Sequence, residues 1–323
     1  MTISCCMIVK NEEKMLPACL ASLQGIADEF IIVDTGSEDR TREIATSFGA
    51  RVLEFTWIDD FAAARNYAFS LATGDYIYSA DADEVIDEEN RARFLELKKA
   101  LAEGSIEADI VQMYYCGQLK QRTVYNFDRE LRPKLFRRLR PFIWEDPVHE
   151  QVRLMPVVYD SEIEIGHFPQ GEPGDHAARD LAIFSRMLRE DRPLSSRLQG
   201  MYARELWMAG TAEDLAAAKP YFTLLAETSD NGDRVMEALL LCARAARLAG
   251  DHERFLETAV RILEQGKNSE ICCEMAAYYE ARGDAVEACV WNAMAGECEA
   301  VIDIRCSMQA GQQEHEEQEK ETL

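Results

Sequence analysis

Two phosphate-binding signatures are missing from this chain of 323 residues: neither G-x-G-x-x-G nor G-x-x-x-x-G-K-[ST] occurs. Dinucleotide cradling and P-loop chemistry are therefore not indicated, and a nucleotide, if bound, must be held differently. Positive charge is also scarce. Against 59 Asp and Glu stand 35 Lys and Arg, a formal net charge of −24, which repels nucleic acid and anionic lipid surfaces. No apolar run approaches the ~20 residues that a membrane span needs. The opening Met1-Thr2-Ile3-Ser4-Cys5-Cys6 lacks the basic region of a signal peptide, so a cytoplasmic location is expected. Ten cysteines are present but no C-x-x-C. Cys5-Cys6 falls in a strand pattern and Cys272-Cys273 in a helical one, so buried reduced thiols are a better account than disulfides or zinc.

From Ile3 onward, short apolar runs alternate with helical periodicity. The runs are Ile3 to Val9, Phe30 to Val33, Val52 to Phe55 and Tyr76 to Tyr78, which predicts an α/β domain with a mostly parallel sheet. Ser37 fits a helix N-cap, Glu38 and Asp39 a first turn, Ile44, Ala45 and Phe48 one apolar face, and Gly49 the stop. Open parallel sheets bind ligands at the carboxyl ends of their strands. Those ends read Lys10-Asn11-Glu12-Glu13, Asp34-Thr35-Gly36-Ser37, Trp57-Ile58-Asp59-Asp60 and Asp81-Ala82-Asp83. One Asp after a strand is usually a cap, but carboxylates after three successive strands converge on one sheet edge. In Asp81-x-Asp83 alternate side chains lie on one side, where both can reach a divalent cation or a sugar-nucleotide.

Four segments carry a resemblance: Met7 to Glu13, Ile32 to Thr41, Asp60 to Asn66 and Gly74 to Glu84. In this order and spacing they resemble the family 2 glycosyltransferases of GT-A fold, in particular the bacterial subgroup that joins this domain to tetratricopeptide-like (TPR-like) helices. The resemblance implies a metal-dependent, inverting transfer of sugar from a nucleoside diphosphate, most commonly uridine diphosphate (UDP), to a glycan, peptide or protein acceptor. It implies that Asp34 recognises the nucleotide base, that Arg65 lies beside it, and that Val9, Lys10, Asn11 and Glu12 line the pocket. Asp81 and Asp83 match the D-x-D pair, with Asp83 the direct ligand of Mn²⁺ or Mg²⁺ and Asp81 nearer the ribose or sugar. Such a cation stabilises the charge that develops on the diphosphate leaving group.

Inversion requires a general base on the face opposite the leaving group. The segment Trp144-Glu145-Asp146-Pro147-Val148-His149-Glu150 resembles the subgroup's aromatic-x-Gly-x-Val-His-Glu element, with Asp146 where glycine is common. Glu150 is the first candidate for the base and Asp146 the second, although both could be structural. His149 is a candidate to complete the metal site or orient the donor, a structural histidine being the alternative, and His167 is a second candidate for that role. Arg132-Pro133-Lys134-Leu135-Phe136-Arg137-Arg138 is a basic island that could face pyrophosphate or an anionic acceptor, or form a solvated strand edge.

Near residue 170 the chain changes character, giving expected domains of 1–170, 171–305 and an acidic, disordered tail at 306–323. After Phe168 to Gly174, rich in turn residues, alanine-rich helical periodicity takes over. Gly210, Gly250 and Gly283 recur about 40 and 33 residues apart, the period of paired-helix repeats, with Ala203, Ala243 and Ala277 at close approaches and Tyr221, Phe222, Phe255 and Trp291 between layers. Such repeats are expected to dock the acceptor, a partner protein or a second copy of the chain. The competing reading is an inactive transferase domain attached to a binding module. A sugar nucleotidyltransferase is disfavoured because Lys10-Asn11-Glu12-Glu13 is not a glycine-rich basic loop.

Overall fold

A computed structural model describes residues 1–117, 129–138, 144–152, 156–168, 173–303 and 305–307. These fall into two compact units, one within Met1 to Gly171 and the other from Glu172 onward. The expected tail beyond Ser307 and the Pro169 to Glu172 part of the break lie outside the described residues.

The first unit opens with β1 (Ile3–Val9), α1 (Leu16–Leu23), β2 (Glu29–Asp34), α2 (Thr41–Ser47), β3 (Arg51–Glu54), α3 (Phe61–Ser70) and β4 (Tyr76–Ala80). It continues through β5 (Glu84–Val85), α4 (Glu88–Glu103), β6 (Ile110–Gly117), β7 (Arg129–Arg137), β8 (Trp144–Glu145), β9 (Gln151–Val152) and β10 (Val158–His167). Eight strands form one sheet in the order β3-β2-β1-β4-β7-β6-β10-β5. β3, β2, β1 and β4 run parallel, β7 lies antiparallel between β4 and β6, and β10 pairs parallel with β6. The sheet is thus mixed, its parallel half being the one legible as apolar runs.

The runs of β1, β2 and β4 are continuous because both faces of the sheet are covered there. Ile3, Cys5, Met7 and Val9, with Phe30, Ile32, Tyr76 and Tyr78, pack with Leu16, Leu20 and Leu23 of α1 and with Phe94 and Leu97 of α4. The intervening Cys6, Ile31, Val33 and Ile77 pack with Ala62, Ala68 and Phe69 of α3. The two-residue period of a strand sorts one run into two cores.

Two expectations need correction. α2 starts at Thr41 after Arg40, with no side-chain cap; the Ser37 hydroxyl instead accepts the Asn11 N–H (2.9 Å), and is committed to holding a loop. The island Arg132 to Arg138 is no solvated edge, because β7 is an interior strand. Pro133, which cannot donate to a ladder, is tolerated there next to a register shift between Val111 and Gln112.

The second unit is helical: α5 (Pro173–Arg189), α6 (Ser196–Ala209), α7 (Ala212–Thr228), α8 (Gly232–Leu248), α9 (His252–Gln265), α10 (Ser269–Glu280) and α11 (Ala285–Glu297). Helices α6 to α11 start where Ser195, Thr211, Asn231, Asp251, Asn268 and Asp284 cap first-turn amides. Phe184, Tyr202 and Phe222 stack in sequence at 4.7 and 5.4 Å, and Phe255 stacks on Tyr278 at 4.9 Å. Of the repeat glycines, Gly250 and Gly283 take left-handed backbone, whereas Gly210 is extended. Glycine is needed at 210 for another reason: a Cβ there would lie 2.5 Å from the Leu206 carbonyl oxygen. Of the thiols, Cys5, Cys6, Cys19, Cys242 and Cys272 are buried, but Cys289 is exposed and the rest are half-buried, all ten being free. Among the described residues no helix is long and apolar enough to cross a membrane.

Candidate active site

The site lies where β1, β2 and β4 end. Parallel pairing sets Val9 of β1 opposite Asp34 of β2 and Met7 opposite Ala80 of β4, so Asp34 and Asp81 leave the sheet on either side of β1. The loop after β1 is tied to the loop after β2 by a set of hydrogen bonds. Asn11, at φ +57, accepts the Glu38 N–H at its side chain (2.8 Å). The Glu12 N–H donates to the Thr41 hydroxyl (2.7 Å) and the Glu13 N–H to Asp39 (3.1 Å). Val9 is buried at the strand end, while Lys10 and Asn11 are exposed.

Asp34 is enclosed at this edge of the sheet. The Ser37 N–H donates to both its oxygens (3.1 and 3.2 Å), and Arg42 of α2 binds Oδ2 through Nε.

Asp81 sits among cations. Lys134 Nζ is 4.0 Å from Asp81 Oδ2 and Arg65 Nη2 is 3.8 Å from Oδ1. Enclosure opposes ionisation of Asp81, but the charges of Lys134, Arg65, His167 and Arg132 outweigh it and hold its carboxyl below the usual range. Lys134 is delivered by the antiparallel register of β7, which sets Leu135 opposite Tyr78. Its ammonium pairs with the buried Glu84 and lies 3.4 Å from the Ser79 carbonyl oxygen. Burial pushes Glu84 up to about 7 despite Lys134. This pair escaped the sequence reading because its members come from strands 50 residues apart.

Asp83 meets His167: Oδ2 and Nε2 are 3.0 Å apart. The imidazole also packs against the Tyr115 ring, centroids 4.6 Å apart, and Arg132 lies over that ring at 3.9 Å. Glu12 is close enough to feel this acidic group. Burial, then the charges of Asp83, Asp39 and Asp81, raise its carboxyl to about 7.

Arg65, on α3, binds the Ser79 hydroxyl (2.6 Å) and pairs with Glu150. It thus stands between the D-x-D segment and the Glu150 loop, on the Asp81 side of β1. Within that loop Asp146 has φ +71 and His149 φ +50. The left-handed Asp146 accounts for glycine at the corresponding place in the resembling element, since aspartate is among the few side chains that tolerate the conformation. His149 is half-buried on the same loop, beside the buried Val148. The structure therefore groups Asp81, Arg65 and Glu150, and separately pairs Asp83 with His167.

Residues 4–153 match the model of the family described as Glycosyl transferase family 2. A TPR repeat-containing protein of Synechococcus elongatus is 56% identical over 82 residues, which is 25% of this chain and 20% of that protein. The SPbeta prophage-derived glycosyltransferase SunS of Bacillus subtilis is 34% identical over 127 residues, 38% of this chain and 30% of that one. The chain spans only 20 to 30% of the length of these relatives. Among solved structures, S. aureus TarS in complex with UDP-GlcNAc aligns over 92% of this chain and 93% of its own, at 15% identity and a TM-score of 0.42. M. tuberculosis glucosyl-3-phosphoglycerate synthase with Mn²⁺, UDP and glucosyl-3-phosphoglycerate aligns over 60% and 81%, at 18% identity and a TM-score of 0.42.

Proposed function

From the match of residues 4–153 to the Glycosyl transferase family 2 model, we propose that the protein is an inverting, metal-dependent transferase of a sugar from a UDP-sugar to a glycan, peptide or protein acceptor. The observation that carries the reading is the placement of Asp34 and Asp81 at the carboxyl ends of the strands that flank β1, with Asp83, two residues further on, paired with His167. Asp34 suits uridine because a carboxylate accepts the N3–H of uracil, a proton that cytosine lacks.

Two carboxylates suit the hard cations Mn²⁺ and Mg²⁺, and the imidazole, a borderline donor, fits Mn²⁺ better than Mg²⁺. Asp83, His167 and Asp81 would hold the ion, and His149 would orient the donor. When bound, the metal would supply Lewis-acid stabilisation of the departing diphosphate. Glu150 takes the acceptor proton in this scheme, with Arg65 fixing its carboxylate; Asp146 is the alternative base. The helical repeats would dock the acceptor, a partner protein or a second copy.

The test is release of nucleoside diphosphate from a panel of sugar nucleotides with Mn²⁺, Mg²⁺ or chelator. Metal-dependent turnover of one uridine donor is the expected result. No turnover, together with no thermal stabilisation by any nucleotide and metal, would overturn the reading in favour of a binding protein.

A further inference from the structure

The Asp34 side chain has no exposure at all, whereas the Arg42 side chain that binds it is 42% exposed. Arg42 makes three contacts: Nε donates to Asp34 Oδ2, Nη1 to Glu54 Oε1 (2.7 Å) and Nη2 to the Ser37 carbonyl oxygen (3.3 Å). The other donor to Asp34, the Ser37 amide, is backbone in a loop pinned to Asn11. Arg42 is a long side chain on the first turn of a short surface helix.

We propose that Arg42 is a gate and specificity-determining residue of the base pocket, covering Asp34 until an incoming uracil displaces it onto Glu54. The proposal rests on the reading that Asp34 recognises the base. A base N–H must come within about 3 Å of a carboxylate oxygen to bond it, and a side chain with no exposure offers no such approach until one of its covers moves. Glu54 is already bonded to Arg42 and is 77% exposed, so the displaced guanidinium keeps a counter-charge. Lifting Arg42 costs part of an ion pair. A base whose edge donates to the freed carboxylate compensates that cost; one whose edge does not is left with it, and selection follows.

Calorimetric titration of the full chain in Mn²⁺ buffer, with UDP and with inorganic pyrophosphate as a ligand lacking the base, tests the gate. Arg42→Met and Arg42→Gln both preserve an exposed helix position. Each is expected to bind UDP about fivefold more tightly than the unaltered protein, the equivalent of about 1 kcal/mol for a partly exposed ion pair, with pyrophosphate affinity unchanged. UDP affinity that is equal or weaker in both variants overturns the gate. Asp34→Asn separates the two levels: loss of UDP binding with pyrophosphate binding retained upholds base recognition by Asp34, and unchanged UDP binding removes that reading and the gate with it.

Discussion

Arg65 and Glu150 are ion-paired although they are distant in sequence, one on α3 and the other in the loop before β9, and Arg65 at the same time lies 3.8 Å from Asp81. One guanidinium thus fixes the D-x-D segment relative to the candidate base. Arg65→Met is expected to destabilise the protein by about 3 kcal/mol, because it leaves a carboxylate poorly compensated. It should also lower turnover on the order of 100-fold through misplacement of Glu150. Thermal unfolding and steady-state kinetics of the variant check the two effects separately.

Asp83→Asn should weaken Mn²⁺-dependent UDP binding by about 10- to 100-fold while leaving the melting temperature without ligand within a few degrees. Titration of UDP with and without metal is the measurement. A variant whose metal dependence matches that of the unaltered protein refutes the ligand assignment.

Glu12 carries a pH signature. Its carboxyl is raised from 4.5 to about 7 by burial and by Asp83, Asp39 and Asp81, so the folded state holds the proton more tightly than the unfolded one. The stability it contributes is fully present below about 4.5 and is lost as pH rises through about 7. The difference in melting temperature between pH 6 and pH 8 should therefore shrink in Glu12→Gln. An unaltered difference would mean that Glu12 titrates alike in both states.

In the helical unit, Glu270 is fully buried and its carboxylate accepts the N–H groups of Val301, Ile302 and Asp303. Glu270→Ala strands these donors. A loss of about 3 kcal/mol is expected, with early hydrogen exchange confined to residues near Ile302. Denaturant unfolding and exchange of the intact chain measure both.

The central parallel strands β1, β2 and β4 were legible because strands buried on both faces must be apolar throughout, and Ile3 to Val9 matches β1 residue for residue. β7 was not, because Pro133 and its basic neighbours disguise an interior strand whose partners are distant in sequence. The carboxylates after the strands stood out as residue types. Of their counter-charges, Arg65 stood out only through the resemblance and Lys134 only within a basic island, and Arg42 did not, since nothing in a sequence reports which cation a tertiary register brings to which acid. Ser37 misled for a related reason: its type suits a cap, but Asn11 uses the hydroxyl.

The pairing of Val9 with Asp34 and of Met7 with Ala80 also acts as a ruler. One central strand separates the two exits, so Asp34 and Asp81 are held about two strand spacings apart, roughly 10 Å. That length is written in main-chain hydrogen bonds. Side-chain drift along β1 can retune the two cores without changing that separation, whereas a single residue inserted into β1 would shift the register of both exits at once.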